Sequence, residues 1–60
     1  MNAWEMARKM IEISNEIEEL VEKKKKAVNL RERELIDAEI DRKEIVFFEY
    51  KHNLERMNIN

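Results

Sequence analysis

Sixty residues with no glycine, no proline and no cysteine, 43% of them Asp, Glu, Lys or Arg, leave no room for a disulfide scaffold, a cysteine metal site or the tight turns of a sheet protein. A net charge of −2, from 12 basic and 14 acidic side chains, gives no overall field that would draw the chain to nucleic acid or to a membrane surface. The longest apolar run, Ile45 to Phe48, falls far short of the ~20 residues of a membrane span, and Glu5, Arg8, Lys9 and Glu12 interrupt any signal-peptide core, so the cytoplasm is the expected compartment.

From residue 3 to 28, apolar or small side chains recur at Ala3, Met6, Met10, Ile13, Ile17, Leu20 and Ala27 in a three-four alternation, with Lys24 in the remaining slot. That is the seam of an amphipathic helix, predicted over residues 3–25. Carrying the same phase forward would place Arg31, Glu34, Ala38 and Asp41 on the seam, so the register breaks before the second half. A bend is predicted over residues 26–29. Asn29 followed by Glu32 has the spacing of a capping box, with Glu32 and Glu34 at the positive end of a new helix and Lys23 to Lys26 at the negative end of the old one.

The second helix, predicted over residues 30–57, carries Ile36, Ile40, Phe47, Tyr50, Leu54 and Met57 on its seam, with Lys43 filling the polar gap. A frayed tail of Asn58, Ile59 and Asn60 completes the chain. The fold class is therefore all-α: one domain, residues 1–60, forming a two-helix antiparallel hairpin. Because a chain this short buries only about 60% of its unfolded surface, dimerisation into a four-helix bundle is expected. The alternative is one long helix in a coiled coil, which neither glycine nor proline forbids.

Each helix has a second apolar flank well away from its seam. Trp4, Ala7 and Ile11 form it on the first helix; Ile45 and Phe48, joined by His52, form it on the second. A hairpin bent near Ala27 would place Ile11 about level with Glu44 and Trp4 about level with Lys51, so the two flanks would meet at the open end. These six residues are the candidate dimer or partner interface, because exposed apolar clusters mark contact surfaces.

The remaining constellations are weaker. Lys23, Lys24, Lys25, Lys26, Arg31 and Arg33 surround the bend as a candidate contact for an anionic partner, but no aromatic side chain is interleaved for base stacking. Glu12, Glu16, Glu18, Glu19 and Glu22 form an acidic run suited to solvation or to steering. Glu49 and His52 have the Glu-x-x-His spacing of four-helix di-iron proteins, yet both point away from the seam, so neither metal nor cofactor is expected. Ser14 is the sole serine and lies within a helix, so no catalytic residues are assigned and the chain is not expected to be an enzyme.

Glu34 to Lys43 looks like part of the small helical-hairpin inhibitors of sporulation histidine kinases. The layout is also similar to the short aspartyl-phosphate phosphatases of sporulating bacteria, whose Ser-Gln-Glu-Leu-Asp signature is missing here. No functional residue is carried over from either family. The expectation is a small bacterial or phage interaction module that regulates or inhibits a larger protein, with a purely structural dimerisation element and nucleic-acid contact at the bend as alternatives.

Overall fold

In a computed structural model, which describes residues 2–57, the chain forms α1 (Ala3–Lys26) and α2 (Leu30–Met57), packed antiparallel. The expected tail of Asn58, Ile59 and Asn60 lies outside the described residues. Both helices begin alike. Asn2 Oδ1 accepts from the Glu5 amide at 2.8 Å, and Asn29 Oδ1 accepts from the Glu32 amide at 2.8 Å, each satisfying a first-turn N–H that has no partner within its helix. Asn2 has the same three-residue spacing to a glutamate as Asn29, so its role was readable from the sequence as well.

The bend needs no glycine because every described residue keeps a negative φ. Ala27 leaves the helix in an extended conformation (φ −69°, ψ 130°), and its amide closes the last turn on the Lys24 carbonyl at 3.2 Å. Arg33 Nε then donates to the Ala27 carbonyl at 3.2 Å, tying the first turn of α2 back to the end of α1. The chain turns here, and the single long helix is set aside.

The two seams face each other. Met6, Leu20, Ala27 and Ile40 are buried, while Met10, Ile13, Ile17, Ile36, Phe47, Tyr50 and Leu54 are half-buried along the same line. Ala3 and Met57, both expected on the seam, are exposed, because at the open end no further turn of helix covers them. The lysines in the two polar slots cross the interface in opposite directions: Lys24 Nζ meets Asp37 Oδ1 at 2.7 Å, and Lys43 Nζ donates to Glu16 Oε2. Between these two ion pairs, Leu20 and Ile40 are about level and form the centre of the core.

This register corrects the sequence-based alignment. The turn is centred near Leu30 rather than Ala27, since Ala27 to Asn29 are spent on the extended link, so Ile11 comes about level with Glu49 and Trp4 with Arg56. The molecule measures 49 × 14 × 13 Å, where a continuous rod of this length would reach about 80 Å.

The Lys43–Glu16 pair carries a pH signature. Its hydrogen bond to the Glu16 carboxylate raises the Lys43 pKa above the ordinary value of 10.5; partial burial opposes the shift, and the charges of Glu16 and Glu39 add to it. A raised folded-state value means the stabilisation is fully present below pH 10.5 and is lost as pH climbs through the raised value. The thermal midpoint of the wild type should therefore fall more steeply above pH 10.5 than that of Lys43→Met. Parallel decline of the two proteins would show that the pair does not form.

Candidate functional site

Antiparallel right-handed helices turn their corresponding flanks to the same side of a hairpin, so the second apolar stripes of α1 and α2 share one face. The structure shows the result as a shallow groove beside the seam. Its outer part is walled by Ala7, Met10, Ile11 and Ser14 from α1, with Phe47 and Leu54 from α2. The adjoining part is walled by Ser14, Ile17 and Glu18 opposite Glu44, Phe47 and Phe48. Ser14 and Phe47 belong to both, so the two parts adjoin along one face.

Ile11 is 60% exposed and Phe48 48% exposed, so the walls are apolar but uncovered. Phe48 is held edge-to-face against Phe47, with centroids 5.6 Å apart and planes at 85°, and Lys51 Nζ lies 5.8 Å from the Phe48 ring centroid. The aromatic pair is fixed on one side and open on the other. What the groove offers a ligand is apolar and aromatic contact, a serine hydroxyl on its floor and the carboxylates of Glu18 and Glu44 at the end nearer the bend.

Of the six interface residues expected from sequence, Ala7, Ile11 and Phe48 come together on this groove. Trp4, Ile45 and His52 are exposed outside its walls. The corrected register explains the separation, since Trp4 is about level with Arg56 and Ile45 with Asn15, roughly 16 Å apart along the axis. Ser14 was weighed from the sequence only as a catalytic candidate, and its place on this flank was missed. Its signal was spacing: Ala7, Ile11, Ser14 and Glu18 recur at four, three and four residues along a single stripe.

The basic bend is partly occupied with its own structure. Lys24 pairs with Asp37, Lys25 lies 3.4 Å from Glu22, and Arg33 is bonded to the Ala27 carbonyl. Lys23, Lys26 and Arg31 are exposed. Between them the tip presents Val28 (94% exposed) and Leu30 (71% exposed), which sequence reading missed although both lie off the two seams. The acidic run is likewise drawn in, with Glu12 3.6 Å from Lys9 and Glu16 on Lys43. Glu49 and His52 are both exposed, and no described helix is long and apolar enough to cross a membrane.

No protein-family model, no curated protein and no solved structure matches the chain.

Proposed function

We propose that this chain is a non-enzymatic protein–protein interaction module of a bacterium or phage, a cytoplasmic regulator or inhibitor that covers a surface of a larger protein with its apolar groove. The observation that carries the reading is the uncovered flank itself: Ile11 and Phe48 on the groove, and Ile45 beyond its wall, are 60%, 48% and 60% exposed on a hairpin in which no described side chain is completely buried. Apolar surface left open on so thin a core is stabilised by being covered. Phe48 supplies the aromatic anchor such interfaces favour, and the carboxylates of α1 steer the approach.

A second reading, a purely structural homodimerisation element, is favoured by the same thin core. Nucleic-acid contact at the bend has less support, because Lys24 and Arg33 are already engaged within the hairpin.

The test is capture from a bacterial lysate on the tagged chain with nuclease added, alongside Ile45→Lys/Phe48→Lys, with retained proteins identified by mass spectrometry. One protein held by the wild type and released by the variant, at equal helix content, is the expected result. Equal retention by both, or none by either, would sink the reading.

A further inference from the structure

We infer that in the free chain the groove is closed by a second copy, docked antiparallel about a two-fold axis at the level of Phe48, with Glu44 of each copy facing Lys51 of the other. This rests on the reading of the groove as an interaction face and names its first occupant.

Glu44 and Lys51 are seven residues apart on α2 and so lie on one stripe, about 10 Å apart along the axis, too far to pair with each other. Glu44 lines the groove, and Lys51 stands at its rim over the Phe48 ring. Neither has an ion-pair partner among the described residues. Phe48 sits midway between them.

A two-fold axis through that midpoint exchanges the positions of Glu44 and Lys51, so antiparallel packing forms the same ion pair twice and stacks the Phe47–Phe48 pairs of the two copies at the centre. Parallel packing in register would set Glu44 on Glu44 and Lys51 on Lys51. The face is thus self-complementary in one orientation only, as an isologous interface requires. Glu18 adds to the acidic end of the groove, which the antiparallel arrangement turns toward Lys51 of the second copy.

Size sets the strength. With the axis at the level of Phe48, about 14 Å short of the end of α2 at Met57, the two copies overlap over about 28 Å of their length, a projected footprint of roughly 400 Å² that suits a weak, reversible interface held by its charges and central aromatics. A larger protein using this groove would have to displace the second copy, which makes the dimer a masked form of the module.

Sedimentation equilibrium of the full chain tests the pairing without any partner. The wild type should be a dimer; Glu44→Lys and Lys51→Glu should each raise the dimer dissociation constant at least tenfold, by setting like charges against each other twice. The double variant, Glu44→Lys/Lys51→Glu, should bring it back to within about threefold of wild type, with helix content equal in all four proteins. A wild-type chain that stays monomeric to millimolar concentration, single exchanges without effect, or a double exchange that fails to rescue would overturn the proposal. A monomer whose Phe48→Lys variant still loses a captured protein would sink the dimer and spare the interaction module.

Discussion

Ile40→Asp should abolish the cooperative unfolding transition of this protein. Ile40 is 8% exposed and about level with Leu20 at 7%, and together they fill the space between the Lys24–Asp37 and Lys43–Glu16 pairs. An aspartate there buries a carboxylate with no partner, which costs several kcal/mol. A single core in a chain of this size rarely supplies more than about 3–5 kcal/mol, so the loss equals or exceeds the whole stability. The isolated 28-residue α2 would keep some fraying helix, and the informative readout is therefore the sigmoidal melt at 222 nm, not the signal alone. Ile40→Val serves as the control, since removing one methylene costs about 0.5–1.5 kcal/mol and leaves a folded hairpin. A cooperative melt in Ile40→Asp would mean that the seam runs elsewhere on α2.

The second large effect separates contact from mere exposure. Ile11 is 60% exposed and Leu35 is 64% exposed, so either position accepts lysine at little cost in stability. They differ in surroundings. Ile11 walls the groove beside Phe47 and Leu54, whereas Leu35 lies on the other side of α2 among Ile36, Glu39 and Arg42. Placing an ammonium group in an apolar contact removes a hot-spot interaction of 2 kcal/mol or more and adds the desolvation of the charge. Ile11→Lys should thus weaken capture of the partner by about a hundredfold, while Leu35→Lys should leave it within about threefold of wild type. The reverse order would assign the function to the opposite flank.

Much of this was legible in the sequence because helical periodicity, capping chemistry and composition pointed the same way. The end of α1 and the start of α2 were placed within a residue, since the phase break, Asn29 and the lysine run coincide there. Even the polar slots were visible: Lys24 and Lys43 interrupt the two seams, although only the structure shows each reaching a carboxylate across the interface. The register was not legible. It depends on how many residues an extended link consumes, and a shift of the turn from Ala27 to Leu30 moves every opposing pair by about five positions. That shift is why Trp4 and Ile45 were expected in one cluster and lie apart. Ser14 went unnoticed because it was weighed as a nucleophile, when its part is to be small enough to leave a groove between Ile11 and Ile17.

The most direct test of the interaction face replaces Phe48, and in a second protein Leu35, by the photoreactive phenylalanine analogue benzoylphenylalanine and irradiates each in a bacterial lysate. An aromatic side chain is retained at position 48, so the groove keeps its shape while reporting what touches it. The account predicts a discrete crosslinked protein from position 48 and none from position 35. Crosslinks from position 35 alone, or the same products from both, would contradict it.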